Sequence, residues 1–138
     1  MDLAYLVTPF LTWLVVGPIK FLINSGRQRR WAFNLVGNGG FPSNHSSVVT
    51  SMATLIALRE GIDHPAFGVA VALAFIVMID ANSLRQHVGR QAGAINRLAA
   101  GAQSHAPLRE RMGHTLIEIG GGICTGIAMG FLVFQLFD

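Results

Sequence analysis

The sequence predicts an all-α protein: a polytopic membrane helical bundle of about four transmembrane helices, with a short interfacial segment and a cytoplasmic amphipathic extension. Three features lead there. Of 138 residues, 51% are hydrophobic and only 12% are charged, and the mean hydropathy is +0.49, unlike a soluble globule of this size. Four apolar segments come close to the roughly 20 residues that cross a hydrocarbon core. The remaining charges gather at the ends of those segments rather than along them. A chain of this length is expected to form one domain, residues 1–138.

The first segment covers residues 3–23 and contains Pro9 and Pro18, which membrane helices tolerate because neighbouring groups re-satisfy the freed carbonyls. Gly17-Pro18 is expected to kink it one turn before Lys20. The start, Met1-Asp2-Leu3, lacks a basic n-region, and the apolar run is too long for a cleavable signal. Residues 24–38, with Arg27, Arg29, Arg30 and Trp31, have the composition of an interfacial stretch.

The second segment starts at Pro42-Ser43-Asn44-His45 and runs to Arg59. Its Ser47, Thr50, Ser51 and Thr54 form a polar stripe at helical spacing, so it belongs inside the bundle and not against lipid. Glu60 to Pro65 is a tight turn with a Gly stop and a Pro restart. The third segment, residues 66–82, is nearly continuous in Val, Ala, Leu, Ile and Phe and carries Asp80 in its last turn. Beyond it, Leu84, Val88, Ala92, Ile95 and Leu98 keep helical periodicity, which predicts an amphipathic helix continuing past the bilayer surface. Residues 101–107 are expected to be a loop.

The fourth segment covers residues 114–137. Gly120, Gly121, Gly122, Gly126 and Gly130 offer a smooth face for close helix approach, within one bundle or between two chains, so a homo-oligomer stays open. The single cysteine, Cys124, excludes an intramolecular disulfide and a cysteine-based zinc site, and is expected to be a buried small hydrophobe.

Nine of the ten basic residues gather around the connections after segments one and three, and only Arg59 lies elsewhere. With four spans those connections share a side, and the positive-inside rule assigns that side to the cytoplasm. The expected location is the inner (plasma) membrane of a bacterium. Nucleic acid is not an expected partner, because the basic residues have no interleaved aromatic platform.

The chemistry concentrates at Gly39-Gly40-Phe41-Pro42-Ser43-Asn44-His45-Ser46-Ser47. Glycines and a proline break the chain, hydroxyls and an imidazole follow, and a helix begins. Such a helix start offers unpaired N–H groups and a positive dipole end to an anion. Lys20, Arg27, Asp80, Arg85, Arg90, Gln91 and a second histidine, His114, fall on the same side. Ionisable groups near a membrane core are costly and are functional by default. His114 opens the fourth segment, so Glu118 at i+4 shares its helix face and can accept a hydrogen bond from one ring nitrogen, leaving the other as nucleophile or base. His45 could then protonate a leaving oxygen while the cations hold the oxygens of a phosphoryl group. This arrangement requires no metal and no cofactor. Two His and a Glu could bind zinc instead, but the surrounding cations argue against it.

Each piece also has an ordinary reading. Pro-Ser-x-His serves equally as a capped helix start. His114 and Glu118 could be a membrane-edge pair, Lys20 and Arg27 could be snorkelling anchors, and Asp80 could simply balance Arg85. His64 and His105 read as surface residues, and His87 stays ambiguous. Convergence on one side of the bundle favours a site.

Lys20-x6-Arg27, Pro42-Ser43-Asn44-His45 and His114-x3-Glu118 resemble the three signatures of the type 2 phosphatidic acid phosphatase superfamily, which includes bacterial acid phosphatases and vanadium-dependent haloperoxidases. Gly40 to His45, Asp80-x4-Arg85-x3-Gly89-Arg90-Gln91-Ala92 and Gly113-His114-Thr115 are similar to its divergent small membrane branch. The resemblance covers nearly the whole chain. It implies that His114 is the phosphorylated nucleophile, that Glu118 orients it, and that His45 is the leaving-group acid. It also implies that Ser43, Lys20 and Arg27 bind phosphate, with Asn44, Asp80, Arg85, Arg90 and Gln91 beside them. Three departures stand out: Asn44 where the family pattern has Gly, Gln28 where it has Pro, and Leu108 where it has Arg. The missing charge must come from Arg85, or from Arg109 or Arg111.

The implied activity is a metal-independent hydrolase acting on a membrane lipid phosphomonoester through a phosphohistidine. Phosphatidylglycerophosphate or phosphatidate is favoured at the cytoplasmic face. The alternatives are a polyprenyl diphosphate phosphatase and a non-catalytic lipid-phosphate-binding protein, with a vanadate-dependent haloperoxidase a distant further reading.

Overall fold

A computed structural model describes residues 3–28, 40–100 and 106–137, with the side chains of Arg27 and Gln28 outside that description. Five α-helices account for most of it: α1 (Ala4–Gln28), α2 (Asn44–Arg59), α3 (Pro65–Ile79), α4 (Arg85–Leu98) and α5 (Leu116–Phe137). One π-helical turn, Asp80–Leu84, joins α3 to α4, so a single helical run of 34 residues extends from Pro65 to Leu98. At 1.5 Å per residue that run is about 50 Å long and outreaches a hydrocarbon core of roughly 30 Å. The expected extension past the bilayer surface is therefore present, as α4.

Among the described residues, three helical runs, Ala4–Gly26, Pro65–Leu98 and Leu116–Phe137, are long and apolar enough to cross a membrane. The second expected segment, α2, has 16 residues and spans only about 24 Å. It packs against α1, α3 and α5, and its buried positions are Ser46, Ser47, Thr50, Ser51 and Leu55. Large apolar side chains such as Leu6, Phe10, Trp13, Phe75, Ile76, Ile117 and Leu136 point outward. The interior is the small, hydroxyl-bearing part of the chain, as suits a protein whose solvent is lipid.

The α2–α5 contact shows why. A Cβ on Gly122 would lie 2.6 Å from the Ser43 carbonyl oxygen, one on Gly126 2.6 Å from the Ser47 carbonyl oxygen, and one on Gly130 2.6 Å from Thr54 Cβ. Glycine at every fourth position thus lets the two backbones meet, and the glycine face serves packing within one bundle. Ser47 Oγ donates to the Ser43 carbonyl (2.9 Å) and shares a 2.7 Å hydrogen bond with Thr125 Oγ1; Thr12 Oγ1 donates to Ser51 Oγ (2.8 Å). Thr8 Oγ1 bonds back to the Ala4 carbonyl (2.6 Å), whereas Thr50 Oγ1 is buried without a hydrogen-bond partner among the described residues.

At one end of the bundle Tyr5 Oη donates to Glu60 (2.6 Å), and Arg59 donates to the Phe137 carbonyl (3.1 Å), tying α1, α2 and α5 together. Gly61, at φ +89°, turns the chain, Pro65 opens α3, and the exposed His64 caps it by accepting from the Ala66 N–H (3.2 Å). The opposite end holds Lys20, the N-terminus of α2, the π turn and the N-terminus of α5.

Three expectations change, and one lies beyond the described residues. The first helix does not stop at residue 23 but continues to Gln28, carrying Asn24 inside it. The remaining interfacial residues, Arg29, Arg30 and Trp31 among them, lie outside the described residues, as does His105. The last helix begins at Leu116 and not at His114, because Thr115 caps it. Cys124 is exposed on α5 instead of buried, since the glycines occupy the inward face.

The glycine contact yields a paired prediction. Gly126→Ala should destabilise the folded protein by about 2 kcal/mol, because its Cβ meets a backbone oxygen that cannot yield. Gly120→Ala, with nothing within 4 Å, should be neutral or stabilising by up to roughly 1 kcal/mol through helix propensity. Thermal unfolding of both variants in detergent micelles checks the contrast.

Candidate active site at the basic end of the bundle

The segment after α4 returns as irregular chain and delivers His114 to the bundle. Gly113, at φ +90°, makes the approach, packed against Gln86 and the Ala81 carbonyl. The His114 N–H then donates to the Ala81 carbonyl at 2.8 Å, and Gln86 Nε2 donates to the His114 carbonyl at 3.3 Å. Ala81 lies within the π turn, where Arg85 N–H reaches back five residues to the Asp80 carbonyl. Such turns widen the helix and tend to occur at functional sites.

Thr115 and Glu118 form a reciprocal capping box at the start of α5. The Glu118 N–H donates to Thr115 Oγ1 (3.3 Å), and the Thr115 N–H donates to Glu118 Oε2 (3.1 Å). The same Oε2 is 3.0 Å from His114 Nδ1. His114 and Glu118 therefore meet, as expected, but not as two residues on one helical face. His114 precedes the helix cap, and the carboxylate reaches back to it. With Nδ1–H donating to a carboxylate, the imidazole is the tautomer that keeps the Nε2 lone pair available.

Glu118 also gathers the second histidine's helix. Its Oε1 accepts from the Gly40 N–H (3.1 Å), and its backbone carbonyl accepts from the Ser43 N–H (2.9 Å). Gly40 has φ +87°, and a Cβ there would lie 2.5 Å from the buried Asn24 side chain, so that position is closed to other residues. Phe41–Pro42 is a cis peptide. Ser43 is fully buried and caps α2, its Oγ accepting from the Ser46 N–H (3.3 Å) and the Ser46 hydroxyl (3.0 Å). Its hydroxyl thus has a structural duty in addition to the phosphate contact that the resemblance implies.

His45, in the first turn of α2, lies edge-on to His114 with ring centroids 5.8 Å apart. Arg85, Lys20 and Asp80 are all within electrostatic reach of His45. Lys20 is only 8% exposed, and Glu118 is close enough to act on it. Asp80 Oδ2 pairs with Arg85 Nε at 3.4 Å across the π turn, leaving the terminal guanidinium nitrogens out of that contact. Among the described residues, Asn44 Oδ1 and His45 Nδ1, like Thr50 Oγ1 further along α2, are buried without a hydrogen-bond partner. Buried acceptors of this kind are uncommon and call for a donor.

The structure thus brings His45, His114, Glu118, Ser43, Lys20, Asp80 and Arg85 to one end of the bundle, with Asn44 beside His45. Arg90 and Gln91 sit at exposed positions of α4, beyond Arg85. The Arg27 side chain lies outside the described residues. Among the described residues, no group of three or more His, Cys, Asp or Glu is arranged to hold a metal ion. Sequence reasoning missed Asn24, Gln86 and the Ala81 carbonyl. Asn24 had a signal, being one helical turn from Lys20; Gln86 and Ala81 act through the backbone of a distant segment and had none. The Thr115–Glu118 capping box does have a sequence signal, Thr-x-x-Glu ahead of an apolar run.

Burial pushes the His114 imidazole below its ordinary value, with the Glu118 hydrogen bond pulling back up and the Lys20 charge pushing down again. Burial therefore favours the neutral imidazole in the folded protein. An unfolded imidazole takes up its proton near about 6.5 and the folded one only at lower pH. This contribution to stability is thus present above that value and is lost as pH falls through the folded pKa. Glu118→Gln removes the upward pull, so His114 should titrate lower still. Histidine ring NMR titration of wild type and Glu118→Gln measures it, and an unchanged or raised value would contradict the assignment.

An all-helical membrane bundle with paired imidazoles among cations is the class this architecture defines. The chain belongs to the divergent PAP2 family, whose sequence profile matches residues 1–129. It is similar to the uncharacterized membrane protein YuiD of Bacillus subtilis (strain 168), with 34% identity over 136 residues, covering 87% of this chain and 84% of that one. No solved structure matches.

Proposed function

We propose that this protein is a membrane lipid-phosphate phosphatase that hydrolyses a phosphomonoester through a phosphohistidine on His114. The observation that carries the reading is the His114 Nδ1–Glu118 Oε2 contact of 3.0 Å, which leaves Nε2 free to act as the nucleophile beside a second imidazole. In the first step His114 Nε2 bonds to phosphorus, the P–O ester bond breaks, and protonated His45 gives its proton to the departing alkoxide. Water then attacks the phosphohistidine, His45 takes its proton, and the P–N bond breaks to release phosphate. Lys20 and Arg85 are the cations that would hold the nonbridging oxygens and offset their charge.

The outward apolar band and the site at one membrane edge support a lipid substrate. The basic residues at that end support a cytoplasmic-facing site in the inner membrane, and so phosphatidylglycerophosphate or phosphatidate over a polyprenyl diphosphate. A cysteine-accessibility map with positions near Arg97 labelled from outside would reverse that orientation.

The deciding assay is phosphate release from a panel of lipid phosphates by purified protein. His114→Ala should abolish turnover, and His45→Ala should lower kcat by about 10²–10⁴-fold. The unpartnered Asn44 Oδ1, where the family pattern has glycine, favours one second reading: a protein that binds lipid phosphate without turnover. Release from no lipid in the panel, with binding retained, would establish that reading instead.

A further inference from the structure

His114 sits in irregular chain, and such chain is ordinarily the most mobile part of a fold. Here the described part of the return segment, residues 106–115, is fastened along one face of α4. Asn96 grips the backbone of Leu108 with both ends of its amide: Nδ2 donates to the Leu108 carbonyl at 2.7 Å, and Oδ1 accepts from the Leu108 N–H at 2.7 Å. The same Nδ2 lies 2.9 Å from Glu110 Oε1. One turn back, Gly93 lies under the Glu110 carboxylate, where a Cβ would come within 3.2 Å of Oε2. A further turn back, Gly89 is buried directly against the Glu110 backbone carbonyl, with no room for a Cβ. Gln86 then holds the His114 carbonyl.

Gln86, Gly89, Gly93 and Asn96 are spaced i, i+3, i+7 and i+10, which is a single stripe on a 3.6-residue helix. The stripe faces the return segment along its length and ends at the π turn, whose Ala81 carbonyl holds the His114 N–H. A π turn adds a residue to the helix and so rotates everything after it by about 100°. The turn therefore sets which face of α4 meets the segment that carries His114.

We infer that Asn96, with Gly89 and Gly93 beneath the segment, is a positioning residue for His114, acting through the return segment from roughly 15 Å further along the helix. Asn96 touches neither histidine. Its amide fixes where the irregular chain begins its run, and the stripe carries that register to the imidazole. A nucleophile misplaced by about 1 Å can lose on the order of 10²-fold in rate. The inference rests on the phosphatase reading only for its effect on turnover; the placement itself is testable without turnover.

The test uses full-length protein in nanodiscs with two variants that loosen the segment from opposite directions. Asn96→Ala deletes the grip, and Gly89→Ala wedges the segment away. Both should raise the rate of His114 carbethoxylation by diethyl pyrocarbonate by about tenfold, since the ring is only 4% exposed in the native protein. Hydrogen exchange should accelerate across residues 106–115 and stay at wild-type rates in α2 and α5. On any lipid phosphate that the wild type hydrolyses, kcat should fall by about 10–100-fold with KM within about threefold. Unchanged His114 reactivity and unchanged exchange in both variants would overturn the inference, whether or not the protein turns over. So would deprotection spread evenly over the bundle, which would mark a general loss of stability. Wild-type protein that hydrolyses nothing, while both variants still unmask His114, would sink the phosphatase reading and leave the positioning role intact.

Discussion

The carboxylate of Glu118 is the interaction on which the rest of the site depends. It closes the capping box of α5 through the Thr115 N–H, holds His114 Nδ1, and accepts the Gly40 N–H ahead of α2. A few ångströms away, its own carbonyl takes the Ser43 N–H. One residue thus joins the helix that carries His45, the helix that follows His114, and the imidazole between them. A helix N-terminus favours such a negative charge, and the buried Lys20 lies within reach of it. An isolated carboxylate at a membrane edge would be costly; here it is stabilised from several sides.

That junction can exist only because the backbones approach so closely. The Gly122, Gly126 and Gly130 row presses α5 onto the serine and threonine face of α2, and the first of these contacts, Gly122 against Ser43, lies beside the site itself. The packing that stabilises the bundle is therefore continuous with the packing that sets the distance between the histidines. Small residues and hydroxyls fill the interior, and large apolar side chains face outward, since lipid supplies no hydrophobic drive between helices. Stability and site geometry are here a single constraint.

On the other side of His114 the support comes from α4. The π turn leaves Ala81 to receive the His114 N–H, and the stripe from Gln86 to Asn96 guides the incoming chain. The nucleophile candidate is thus clamped between two helices that have no direct sequence connection except through the segment it sits in. This explains why an irregular stretch can hold an imidazole that is 4% exposed.

The sequence alone determined the class of fold, because apolar segment length and the confinement of charge to segment ends are one-dimensional properties. It also determined which residue types belong together, as in Pro42-Ser43-Asn44-His45 and His114-x3-Glu118, and it showed the glycine row as a close-packing face. Tertiary structure decided what those pieces do. Spacing suggested that His114 and Glu118 share a helical face, whereas the carboxylate reaches back from a capping box, a distinction that depends on where the helix begins. Cys124 turned outward because the glycines claimed the inner face, and only the partner helix could reveal that choice. The return segment's register along α4, set by a π turn and read out by backbone hydrogen bonds, leaves almost no trace in residue pattern. Helix periodicity and composition are local quantities. The separation of His45 and His114 is the sum of long-range contacts, and it exists only in the folded bundle.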